Sequence, residues 1–188
     1  MSTSENTSSE PITIKEQAPV LLSHIAGFVA HRTVAVGLRS GLVKALAEAG
    51  EGATSEQLAG RLDVDAWYVS VWCRSAVAAG LVDRDGDSYR LAPHVATLLL
   101  DTTSPAYLGG VYTVLEQPEV FDRYERSLAS GERLWWDQCS PDWIAGVSGT
   151  DRLIPAGLSR VPGLVESLEA GARVLETACG AGVGLVQL

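Results

Sequence analysis

The chain has 188 residues, 46% of them hydrophobic and 20% charged, with a formal net charge of -9 at neutral pH. That length holds one ordinary domain, or a smaller one with part of another, and the composition is that of a core-forming protein. The acidic balance creates a field that repels nucleic-acid phosphates and anionic lipid. Its three cysteines, Cys73, Cys139 and Cys179, lack paired spacing, which points to reduced thiols in a cytoplasmic protein rather than a disulfide framework.

Residues 1–17, rich in Ser, Thr and Glu, read as a flexible arm without the basic and apolar regions of a secretory signal. From Pro19 onward, Leu21, Leu22, Ile25, Phe28 and Val29 recur at three- and four-residue steps. This predicts a helix over 19–36 with Pro19 in its first turn. Gly37 and Gly41 interrupt the pattern, so a second helix is expected over 39–49, closed by Gly50. His24, His31, Arg32, Arg39 and Lys44 break the apolar run well short of 18 uncharged residues, and no membrane-spanning helix is predicted. His24 and His31 lie seven apart, too far to grip one metal ion, and no metal site is predicted.

Thr54-Ser55-Glu56-Gln57 is a capping box opening a short helix through Arg61. Asp63 and Asp65 stand at the start of a further helix of about 65–79, where negative charge suits the helix dipole. The segments Leu81–Arg84 and Ser88–Leu91 flank Asp85-Gly86-Asp87, a hairpin turn signal. Helix, short helix, longer helix and hairpin together predict a winged helix-turn-helix.

Beyond Pro93, helices are expected over 94–100, 105–117 and 119–131, and over 151–167 with interruptions at Pro155 and Pro162. Tyr107, Tyr112 and Glu116 fall where a helix can line a small-molecule cavity, though nothing distinguishes them from packing residues, and Trp135, Trp136 and Trp143 can cover one, although such a cluster is more often core. Arg173–Thr177 reads as a short buried strand running into a turn with glycines at 180, 182 and 184. Glycines there let the backbone turn tightly and approach a ligand closely, and strand, glycine turn and helix start open a Rossmann-type nucleotide-binding unit. The fold class expected is therefore mainly α with a small β wing, followed by the first strand and loop of an α/β domain.

The run Val174-Leu175-Glu176-Thr177-Ala178-Cys179-Gly180-Ala181-Gly182-Val183-Gly184 resembles the first motif of class I S-adenosylmethionine-dependent methyltransferases. Glu176 matches the acidic residue at the end of the family's first strand, and Gly180 and Gly182 match its later glycines. Ala178 stands where the family has its first glycine, and Gly184 completes the loop. The stretches Gly41–Leu46, Thr54–Ala59 and Ala79–Val82 are similar to the N-terminal domain of small-molecule O-methyltransferases. The resemblance implies S-adenosyl-L-methionine as cofactor, bound by Glu176, Ala178, Gly180, Gly182 and Gly184. It also implies a homodimer, a small-molecule acceptor, and no nucleic-acid or membrane partner. Cys179 is read as a small apolar filler, and no residue is assigned a catalytic role.

Under this reading residues 18–100 form a dimerisation and winged-helix domain, 101–170 a helical linker and substrate-cover region, and 171–188 the start of a truncated Rossmann-like domain. Only four residues follow Gly184, about one helical turn, so the cofactor site is expected to be incomplete and residues 1–188 inactive alone. Two other readings stay open. A DNA-binding winged-helix regulator needs a basic footprint, but residues 54–92 hold Arg61, Arg74, Arg84 and Arg90 against six acids. A stand-alone dimerisation module would use the apolar helix 19–36.

Overall fold

A capping box at Thr13 decides where the first helix begins. The Thr13 side chain accepts from the Glu16 backbone N–H at 3.3 Å, and the Glu16 carboxylate accepts from the Thr13 N–H at 2.9 Å. In the computed structural model, which describes residues 12–133, 153–177, 179 and 182–186, helix α1 therefore spans Ile14–Arg39. This corrects both ends of the expected helix. Residues 14–17 are helical rather than part of an arm, and Pro19 lies inside the helix rather than in its first turn.

At the other end α1 runs through Gly37, because this glycine serves packing and not termination. A Cβ placed there would come within 2.9 Å of Val43 and collide with the Trp72 ring. The helix stops instead at Ser40 and Gly41, whose φ of 80° is the left-handed conformation that glycine adopts without strain. By length and composition α1 is long and apolar enough to cross a membrane, with mean hydropathy 1.3 over an 18-residue window. This departs from the expectation drawn from uninterrupted apolar runs. Its C-terminal part buries Thr33, Val34, Ala35 and Gly37 inside the protein.

Helix α2 (Leu42–Ala49) presents Leu42, Val43, Ala45 and Leu46 to the interior. Helix α3 (Ser55–Leu62) carries the predicted capping box, Thr54 and Gln57 exchanging hydrogen bonds of 2.9 and 3.3 Å. Helix α4 (Ala66–Ala78) starts at Asp65, whose carboxylate accepts from the Tyr68 N–H at 3.0 Å. Its buried residues, Val69, Trp72, Cys73 and Ala76, follow the spacing of a single helix face.

Strands β1 (Val82–Asp85) and β2 (Ser88–Leu91) form an antiparallel hairpin with Val82 opposite Leu91 and Asp85 opposite Ser88. Gly86, at φ 57°, supplies the tight turn. Ala53 adds an isolated bridge to Tyr89 through two 2.9 Å backbone bonds, tying the segment before α3 to the wing. Leu46, Leu58, Val43 and Cys73 are fully buried at the centre of this unit, and Trp72 donates from its indole N–H to the Thr33 carbonyl at 2.9 Å.

The remaining helices are α5 (Val95–Leu99), α6 (Gly109–Val114), α7 (Pro118–Ser130), α8 (Ile154–Leu158), α9 (Leu164–Glu169) and α10 (Val183–Val186). Helix α6 is shorter than the predicted 105–117, and Pro155 sits within α8 while Pro162 falls in the break before α9. The buried strand expected at 173–177 does not form. That segment has no ladder partner among the described residues, and Leu175 is 88% exposed. A strand satisfies its backbone only through neighbours, so apolar residues alone do not make one.

Candidate functional site

Three of the five predicted loop residues lie among the described residues, and Ala178 and Gly180 lie outside them. Gly182, at φ 73°, accepts through its carbonyl from the Val186 N–H at 3.2 Å and donates to the Cys179 carbonyl at 2.8 Å. Gly184 is buried. A Cβ there would stand 2.6 Å from the Ile154 side chain and 2.7 Å from Oε1 of Glu176. Glu176 thus folds over the first turn of α10, beside the end of α8.

The other carboxylate oxygen of Glu176, Oε2, is buried and has no hydrogen-bond partner among the described residues. A buried acceptor of this kind requires a donor, and a hydroxyl or ammonium group of a ligand can supply one. The acceptor chemistry of Glu176 and the open space beside Gly182 therefore fit a hydroxyl-bearing group such as the sugar of a nucleoside-containing cofactor, while the missing Cβ of Gly184 makes room for Ile154 and Glu176.

A second site assembles where α1 meets the α6–α7 junction. Glu116, its side chain only 7% exposed, accepts from Arg32 and, at 2.8 Å, from Arg39, while His31 Nε2 lies 3.2 Å from its other oxygen. The His31 ring stacks on Tyr112 with centroids 5.1 Å apart. Burial pushes the Glu116 carboxyl up, but the Arg39 hydrogen bond and the charges of Arg32, Arg39 and His31 outweigh it and hold the group below the ordinary range. Beside this cluster lies a cleft of about 640 Å³ lined by Phe28, His31, Arg32, Leu115, Glu116 and Phe121.

Tyr112 and Glu116 were legible as candidates on a helix. The ring of Tyr107 lies against Gly109, and Trp135, Trp136 and Trp143 lie outside the described residues. His31, Arg32 and Arg39 were not foreseen as partners of Glu116. Their only sequence signal is a spacing of seven to eight residues, which returns to the same face of a helix.

Replacing Glu116 by Gln is expected to cost about 1 kcal/mol, because the arginines are half exposed and solvent screens the pairs. In the unfolded chain a glutamate titrates near about 4.3. Since the folded value is lower, the ionised group stabilises the fold above the unfolded value, and this contribution fades as pH falls through the folded one. Melting temperatures of wild type and Glu116→Gln should differ at pH 7 and converge toward pH 3; a gap that persists unchanged contradicts the assignment.

The helix that reads DNA in other winged helices offers little to phosphate here. On α4, Trp67 and Tyr68 are exposed and pack edge to face with centroids 4.9 Å apart. In the wing, Arg84 lies 3.7 Å from Asp87 and Arg90 3.8 Å from Asp83, so each arginine has an acidic neighbour. Burial pushes the Cys73 thiol up to about 11, with Arg74 opposing and Glu56 adding to the shift. Cys73 is therefore a protonated core filler.

Comparison with known proteins agrees with this architecture. A family described as the Rv2258c-like winged HTH domain matches residues 29–101. No curated protein matches the chain. An O-methyltransferase family protein from Burkholderia thailandensis superposes with TM-score 0.60 at 19% identity, covering 94% of this chain and 53% of that one. The structure of PigF with SAH gives TM-score 0.55 at 17% identity, covering 85% of this chain and 54% of its own. The chain thus spans about half the length of these structures. It carries a winged helix-turn-helix domain and shares the fold of O-methyltransferase-family structures over that half.

Proposed function

We propose that residues 1–188 are the N-terminal part of an S-adenosyl-L-methionine-dependent methyltransferase that acts on a small molecule. The observation that carries this reading is the junction at the end of the described chain. A winged-helix domain with the fold of methyltransferase structures leads into a loop where Glu176 and Gly184 meet and a buried carboxylate oxygen lacks a donor. When bound, S-adenosyl-L-methionine supplies an electrophilic methyl group. Glu176 would accept from a cofactor hydroxyl, Gly182 would let the backbone approach it, and Gly184 would leave room for the Glu176 side chain. Catalysis in such an enzyme rests on in-line positioning of the acceptor, aided by a general base.

The polypeptide 1–188 by itself is expected to transfer no methyl group. The 173–177 segment is unpaired among the described residues, whereas a stable sheet needs about three strands or a helix against it. The test is purified 1–188 with labelled cofactor and a panel of phenols, and turnover above background would refute inactivity. Binding of S-adenosylhomocysteine to a longer polypeptide that includes further β-α units tests the family reading separately; no binding there sinks it.

The homodimer belongs to this proposal. On α1, Leu21, Leu22, Ile25 and Phe28 are 57–65% exposed, an apolar face of the kind that marks an interface. Light scattering should give twice the monomer mass, and Ile25→Glu should lower it; a monomer at every concentration tested speaks against the dimer. We also place the protein in the cytoplasm, with Cys73 and Cys179 outside any disulfide. A DNA-binding regulator is the second reading, favoured by the winged-helix match and opposed by the paired wing arginines; a salt-dependent gel shift would restore it.

A further inference from the structure

We propose that the cleft between α1 and the α6–α7 junction binds a planar aromatic acid, its ring against Phe28, Leu115 and Phe121 and its carboxylate against the Arg32 guanidinium. The volume of about 640 Å³ is in the range of small-molecule sites, about 300–1,000 Å³. Its walls offer two aromatic rings that stand largely in water, Phe28 at 65% and Phe121 at 53% exposure. Flat apolar surfaces of this kind are matched by an aromatic ring, which prefers offset or edge contacts with them.

Charge selects the other half of the ligand. Among the described residues of this cluster, Arg32 and Arg39 face one carboxylate, that of Glu116. The cluster therefore carries an excess positive charge even with His31 neutral, in a chain whose net charge is -9. A guanidinium has five N–H donors, and the bond to Glu116 engages Nη1 of Arg32. The remaining donors suit a carboxylate, which a guanidinium can grip with two parallel bonds. Arg32 and Glu116 both line the cleft, and their ion pair holds the guanidinium at its wall.

The inference does not depend on methyl transfer, because binding is measured without cofactor, and its failure leaves the reading above untouched. The experiment is calorimetric titration of the 188-residue chain with 2-naphthoate and with neutral 2-naphthol, for wild type, Phe121→Ala and Arg32→Gln. The expected result is binding of naphthoate at least about tenfold tighter than naphthol. Phe121→Ala should weaken both ligands, and Arg32→Gln should abolish the preference for the acid. Circular dichroism verifies that the variants are folded; Phe121 is exposed, so its truncation keeps the test open even if Arg32→Gln unfolds. Equal affinity for the two ligands, or naphthoate binding unchanged by Phe121→Ala, overturns the proposal. So does the absence of binding, whether in a monomer or in a dimer whose second copy covers the cleft.

Discussion

Truncating Trp72 to alanine is expected to lower stability by about 3–5 kcal/mol, the range for removing a large aromatic side chain from a core. Trp72 is 7% exposed and sits where α4 crosses α1, touching Gly37 and donating its indole N–H to the Thr33 carbonyl. Removing it empties the contact between these helices and leaves a void that rigid neighbours only partly fill. Trp72→Phe keeps much of the ring but loses the hydrogen bond, and should cost less. Urea denaturation followed by circular dichroism measures both. A loss below about 1 kcal/mol for alanine would mean that the helices collapse onto one another, which contradicts their packing as described here.

The second large effect concerns two glycines on one helix. In an exposed helix Gly→Ala is worth up to about 1 kcal/mol in favour of alanine. Gly27 has nothing within 4 Å of where its Cβ would stand, so Gly27→Ala should stabilise by that amount. Gly37 is the opposite case, because its Cβ would press on the Trp72 ring and Val43. Overpacking of this kind costs about 1–3 kcal/mol, which exceeds the propensity gain. Gly37→Ala should therefore destabilise while Gly27→Ala stabilises. Combining Gly37→Ala with Trp72→Phe should recover part of the loss, since the substituted ring is smaller. Equal effects at both glycines, in the same denaturation experiment, would show that α4 does not pack against Gly37.

These two glycines illustrate how far a sequence reading reaches. Both lie on α1, and the neighbours at positions 72 and 43 separate a packing glycine from an idle one. The capping box at Thr54, the Asp65 cap and the Gly86 turn were legible because each is a local device, complete within four or five residues. The box at Thr13 is equally local, but it stands before Pro19, a residue type that favours the first turn of a helix. The winged helix followed from the order of such devices and matches the family found over residues 29–101.

What depended on distant partners was not legible. The 173–177 segment has the residues of a buried strand, but a strand exists only with a neighbour to receive its hydrogen bonds, and Leu175 stands in solvent. Glu116 was visible as a residue facing a possible cavity, but it stands in the turn after α6 rather than on the predicted helix. That His31, Arg32 and Arg39 gather on it, 77 to 85 positions away, depends on how α1 lies against the α6–α7 junction. The sequence by itself determined the local caps, the wing and the position of the glycine-rich loop. Tertiary structure alone decided which glycine admits an indole, which carboxylate is clamped, and where a ligand can sit, because each depends on contact between segments remote in the chain.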